Sequence, residues 1–196
     1  MTNYPLYVGI CGAPESGKST VQTILQRRYG ILPFDDFAHV RRAVCNIYGL
    51  TDWHVETQEG KRTIVNISGQ DWTVRQILGE FAGRLEAMHG QNFVAETALI
   101  NARLAHGDGT GTHPPLSFGS VRLDQGSVYK REGGIVLEIT RPGCGPRSRY
   151  DEYSRDWIDI TIENQKSEGP GSLTLLEARI AAALDSIFPV VGNLAA

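Results

Sequence analysis

The sequence predicts a three-layer α/β/α fold around a parallel sheet of about five strands. Short apolar runs alternate with stretches of helix length, and the first run leads directly into a glycine-rich turn. Hydrophobic residues make up 41% and charged residues 21%, an ordinary globular balance that speaks against extended disorder. At 196 residues the chain suffices for one such domain and would crowd a second, so a single domain over 1–196 is expected.

Tyr4 to Cys11 is a continuous apolar run of the kind found in a parallel strand covered on both faces. The turn that follows, Gly12-Ala13-Pro14-Glu15-Ser16-Gly17-Lys18-Ser19-Thr20, has two glycines spaced for a phosphate-binding loop and then Lys and a hydroxyl residue. Backbone N–H groups and the start of the next helix suit a polyphosphate there. Lys18 would reach the outer phosphates and Ser19 would offer its hydroxyl to magnesium. The helix itself runs from Lys18 to Tyr29.

Ile31 to Phe34 reads as a second strand, closed by Asp35 and Asp36 at the end where open α/β sheets gather ligands. Either carboxylate could activate a substrate group or hold a magnesium-bound water; Asp36 could equally cap a helix over Ala38 to Tyr48. Residues 49–72 read as a polar excursion on the substrate side, with a short helix near 56–62. Thr73 suits the N-cap of a helix through Met88, whose Val74, Ile77, Leu78, Phe81 and Leu85 share one face. Arg75 and Arg84 on it lie half a turn apart in azimuth, so one phosphate could take both only if the helix bends at Gly79 or Gly83.

Phe93 to Ala105 continues as helix, and His106 to Pro115 as loop. Leu116 to Val121, a short helix from Gln125 to Arg131 and Ile135 to Thr140 form a strand-helix-strand crossover that brings Arg122 to the edge carrying the glycine-rich turn. Residues 141–156 hold Arg141, Arg147, Arg149 and Arg155 among glycines and prolines, the composition of a lid that neutralises charge in phosphoryl transfer. A solvated loop whose arginines pair with Asp151, Glu152 and Asp156 is the alternative. Ile158 to Ile162 is the last strand, Asn164 follows it, and Ser172 to Phe188 closes the chain as a helix before a frayed tail.

A net charge of -3 gives no general attraction to a polyanion, so nucleic acid is an unlikely partner and a small anionic substrate fits better. Cys11, Cys45 and Cys144 are odd in number and far apart, and no His-x-x-x-His spacing occurs; neither a disulfide framework nor a resident metal is expected. No apolar run spans a membrane and Met-Thr-Asn-Tyr-Pro is no signal sequence, which points to the cytoplasm. The Asp-x-x-Gly after the third strand and the Asn-Lys-x-Asp of switch GTPases are missing. The size and the dispersed arginines suggest small-molecule phosphoryl transfer instead.

The order of GAPESGKST, FDDFAHVRRAVCNIYGL, TVRQILGEFAGR, SVRLDQGSVYKREGGIVLEITRPG and DITIENQ resembles the deoxynucleoside monophosphate kinase family of bacteriophages, over about residues 8–180. That resemblance implies a P-loop kinase fold, ATP and magnesium as cofactors, and a deoxynucleoside monophosphate as substrate. Within it Lys18, Asp36, Arg122 and Arg141 would be catalytic. Asp35, Arg42, Arg75, Arg84, Arg147 and Arg149 would serve the acceptor, and Asn164 would lie near the adenine. Ser120 and Gln125 stand where the family carries acidic residues. Two further readings stay open: a phage kinase acting on a hydroxymethyl pyrimidine in DNA, and a nucleotide-binding module without catalysis. Association of two copies is left open as well.

Overall fold

The computed structural model of the chain describes residues 4–107, 113–147, 151–165 and 171–191. The fold divides into two compact units, one holding the residues up to Asp35 together with those from Leu99 onward, the other Asp36–Ala98.

The first unit is an α/β sandwich. Five strands, β1 (Tyr7–Cys11), β2 (Leu32–Phe34), β5 (Leu116–Phe118), β6 (Ile135–Thr140) and β7 (Ile160–Glu163), form a sheet in the order β2-β5-β1-β6-β7. Every neighbouring pair is parallel. The chain moves outward from β1 to one side and then crosses to the other, so the carboxyl end of β1 lies at the switch point, where such sheets leave a crevice.

Side chains alternate across β1 with the period of a strand. Val8 and Ile10 face α1 (Lys18–Tyr29) and α7 (Gly171–Leu184) in a core with Ile24, Leu25, Leu137 and Ile180. Gly9 faces the other way, beneath Tyr129 of α6 (Gly126–Arg131), which in turn packs against Phe118 with ring centroids 4.9 Å apart. Helix layers on both faces give the α/β/α arrangement that the sequence predicts.

The second unit packs α2 (Ala38–Tyr48), α3 (Asp52–Glu56) and α4 (Val74–His89) around Val40, Val44, Val55, Ile77 and Leu78. Here the reading of 49–72 is corrected. The helix is α3, with a 3-10 turn at Gly60–Arg62, and the remainder is an antiparallel hairpin of β3 (Ile64–Ile67) and β4 (Gln70–Thr73). Thr73 caps α4 as predicted, in a reciprocal capping box with Gln76, a contribution of about 1 kcal/mol. Asp36 does not cap α2: the capping position is Phe37, and no side chain bonds there. Several ends are shorter than the sequence suggests, with β1 starting at Tyr7, β5 stopping at Phe118, β7 starting at Ile160 and α7 stopping at Leu184. Helix α5 spans Phe93–His106. Among the described residues no helix is long and apolar enough to cross a membrane.

Candidate phosphate-binding site

β1 is buried throughout and ends at Cys11. The chain turns at Gly12, where φ is +143° and a Cβ would lie 2.4 Å from the Ile139 carbonyl oxygen. Only glycine fits that approach. At the far end Gly17 is left-handed (φ +104°), and a Cβ there would lie 2.4 Å from Nδ2 of Asn164. Between them the Ser16 N–H donates to the Ala13 carbonyl at 3.2 Å. Asn164 holds this turn from beneath: its Nδ2 donates to the Ser16 carbonyl at 2.8 Å, while its own N–H bonds Thr140 at 2.7 Å.

The Lys18 ammonium folds over the loop, donating to the Gly12 carbonyl at 2.8 Å and to that of Ala13 at 2.9 Å. Helix α1 begins at Lys18 with no side-chain cap, so its first turn keeps the electropositive character of an uncapped N-terminus. The Ser16 hydroxyl is fully buried inside the loop and has no hydrogen-bond partner among the described residues.

Two arginines from the segment after β6 meet the loop at its apex. Arg141 Nη1 donates to the Glu15 carbonyl at 3.1 Å, and Arg147 pairs with the Glu15 carboxylate at 2.9 Å. The Asp151 carboxylate accepts the Arg147 backbone N–H at 3.0 Å, bending the segment back. A cavity of about 290 Å³ opens beside this contact, its walls including Ala13, Thr140, Arg141, Cys144, Tyr153 and Arg155. Of the remaining lid residues the sequence singles out, Arg149 lies outside the described residues.

Arg122 follows β5 at the same sheet edge, because Val121 N–H bonds the Ile10 carbonyl at 3.2 Å and carries the chain alongside the end of β1. The next residue, Leu123, is held at φ +46° by two backbone hydrogen bonds of 2.7 Å, its N–H to Glu152 and its carbonyl from Ser154. Trp157 Nε1 adds a bond to Asp124 at 2.6 Å. The turn bearing Arg122 is thus fastened to the returning arm of the segment after β6.

Below that arm lies a residue the sequence reading passes over. Glu138 in β6 is completely buried, and its carboxylate accepts from Tyr153 Oη at 3.0 Å, Arg155 Nη2 at 2.8 Å and Thr161 Oγ1 at 2.8 Å. It stands opposite Cys11 in the β1–β6 register. Burial, and secondarily the Glu138 charge, pushes the Cys11 thiol up to about 12. Burial and the bond to Glu138 raise the Tyr153 hydroxyl as well. One acid within the apolar run Ile135-Val136-Leu137-Glu138-Ile139 was the available signal.

Of the acceptor-side candidates, Asp35 is exposed immediately after β2. Arg42, Arg75 and Arg84, and with them Asp36, belong to the second unit. Asp36 is buried, Arg42 is exposed on α2, and half-buried Arg75 donates to Gln58 Oε1 at 2.8 Å. Helix α4 is unbroken at Gly79 and Gly83, so Arg75 and exposed Arg84 stay on opposite sides of it and do not converge.

Among the described residues no group of three or more His, Cys, Asp or Glu could hold a metal ion. Ser19, exposed in the first turn of α1, is the hydroxyl beside the loop that could ligate an ion.

No protein-family model and no curated protein matches this chain. Among solved structures, TT1252 of Thermus thermophilus is similar, with 20% identity, TM-score 0.47, and 94% of this chain and 98% of that one covered. An unliganded sugar kinase of Janibacter sp. HTCC2649 is 15% identical, with TM-score 0.44 and coverages of 92% and 95%.

Proposed function

We propose that this chain is an ATP-dependent phosphotransferase that moves the γ-phosphoryl group to a deoxynucleoside monophosphate. The observation that carries the proposal is the meeting of Arg141 and Arg147 with the apex of the glycine loop at Glu15, beside a cavity whose wall holds Arg155. Phosphoryl transfer asks little covalent chemistry of a protein and much positioning and charge neutralisation, which such a ring of donors supplies.

In this reading the loop amides and the start of α1 bind the triphosphate, and Lys18 exchanges its two loop carbonyls for phosphate oxygens. Ser19 and Thr20 stand where the helix begins. Magnesium, bound with the nucleotide and touched by Ser19, would neutralise phosphate charge. The bond from the γ-phosphorus to the bridging oxygen breaks, ADP leaves, and an oxygen of the acceptor's phosphate takes the phosphoryl group. Arg122, Arg141 and Arg155 offset the negative charge spread over the transferred group. The deoxynucleotide acceptor, a role for Asp35, Arg42, Arg75 and Arg84 in holding it, and a catalytic role for Asp36 rest on the motif order alone.

The test is direct. Purified protein is given ATP, magnesium and each deoxynucleoside monophosphate in turn, common and base-modified, and ADP and diphosphate are separated by chromatography. Stoichiometric ADP and diphosphate from at least one acceptor is the expected result. ATP binding without diphosphate from any acceptor would overturn the transfer reading.

A further inference from the structure

A carboxylate removed completely from water carries a large desolvation cost, and a buried ion pair exchanged as a whole for apolar residues of similar volume is often neutral or stabilising. Fold stability therefore gives a poor reason for Glu138. Every other residue of β6 before Thr140 is apolar, and the strand is buried along Val136–Ile139. The reason lies in what the carboxylate holds.

One of its donors, Thr161, sits directly opposite on β7 and merely satisfies it. The other two, Tyr153 and Arg155, both belong to the returning arm of the lid segment. The arm is in turn zipped to Leu123 through Glu152 and Ser154. Arg155 reaches the buried carboxylate with one end of a side chain that is 71% exposed, and it lines the cavity beside Ala13. A planar guanidinium fixed at one edge cannot turn freely, so its other donors keep a set direction.

We propose that Glu138 is a positioning residue: a buried anchor that fixes the lid's returning arm, aims Arg155 at the cavity and, through Tyr153 and Leu123, sets the turn that bears Arg122. The catalytic part of this inference rests on the phosphotransfer reading; the anchoring part does not.

The experiment compares wild type with Glu138→Leu and with the near-isosteric Glu138→Gln, which keeps the result interpretable if leucine fits badly. Amide hydrogen exchange in the nucleotide-free protein reads the anchor alone. Exchange at Leu123 and Ser154 is expected to quicken at least about tenfold while the α1 amides hold their rates. Unchanged exchange at those two amides in both variants would overturn the proposal, whatever the enzyme assays show.

Turnover is the second reading. Transfer should fall about 100-fold with the ATP dissociation constant within about threefold of wild type, a split that loosened packing in general would not give. Added guanidinium should restore part of the activity of Arg155→Ala, and none of it when Glu138→Leu is present too. A wild-type protein without transfer activity would refute the proposed function and leave the exchange result to decide the anchor.

Discussion

The side-chain amide of Asn164, beyond the end of β7, donates a 2.8 Å hydrogen bond to the carbonyl of Ser16 within the glycine loop. The loop's shape is therefore set by a residue 148 positions further along the chain. Gly17 leaves no room between them. Gly17→Ala should cost about 1–3 kcal/mol of stability from the left-handed backbone alone, and it should lower ATP affinity at least about tenfold by pushing Asn164 out of place. Asn164→Ala should cost only about 1 kcal/mol. Denaturant melts and titration calorimetry check both.

Lys18 bonds two carbonyls of the loop, which makes it part of the loop's closure as well as its charge. Lys18→Ala should change stability by no more than about 1–2 kcal/mol while transfer falls at least about 100-fold. Lys18→Arg should not restore transfer, because a planar fork cannot replace a compact ammonium. Steady-state rates beside a melting curve separate the two effects.

Behind the sheet, Asp185 accepts from Arg28 at 2.9 and 2.6 Å and from Tyr29 Oη at 2.6 Å. These bonds, that of Arg28 foremost, hold its carboxyl below the usual range. A carboxylate depressed on folding adds stability above its unfolded value, near 3.9, and the gain disappears as pH falls through the folded value. Asp185→Asn should therefore melt below wild type at pH 7, with the gap closing in strong acid. Tyr29 is pushed the other way, up to about 12. Its share of stability is present below about pH 10 and lost as pH climbs to 12.

Cys11, with its thiol raised to about 12, should resist iodoacetamide at pH 8 in the native protein and react once the chain is unfolded. Cys144, half-buried in the cavity wall, should label in the native state, and bound ATP should slow it. Peptide mass mapping of labelled samples tests both.

The sheet, α1 and α2 were legible because their apolar spacing, the Gly12 and Gly17 turn and the closing glycines Gly30 and Gly49 all agree locally. The β3–β4 hairpin was not. Its two-residue turn is Ser68-Gly69, both at positive φ, a weaker signature than Asn-Gly. Asn66 supports it from outside, accepting the Gly69 N–H and bonding Asp71. Glycines 79 and 83 suggested a bend in α4 that packing overrides, since the helix buries Ile77, Leu78, Gly79 and Ala82 in its own core. At the site the loop and Arg141 could be read from motif spacing. Glu138 with Tyr153 and Arg155 could not, because their meeting depends on strand register and on a chain reversal that no local pattern encodes.

Glu15 stands in a left-handed conformation at the loop's tip with its carboxylate on Arg147. An incoming polyanion meets a resident negative charge, and must win the arginine from it. Charges at such range exchange about 1 kcal/mol in water, so Glu15→Gln should tighten ATP binding roughly fivefold and steepen its salt dependence. Under the proposed function the tip would act as a toll on anions, one that a ligand with enough phosphates to engage Lys18 and the α1 terminus together would outweigh.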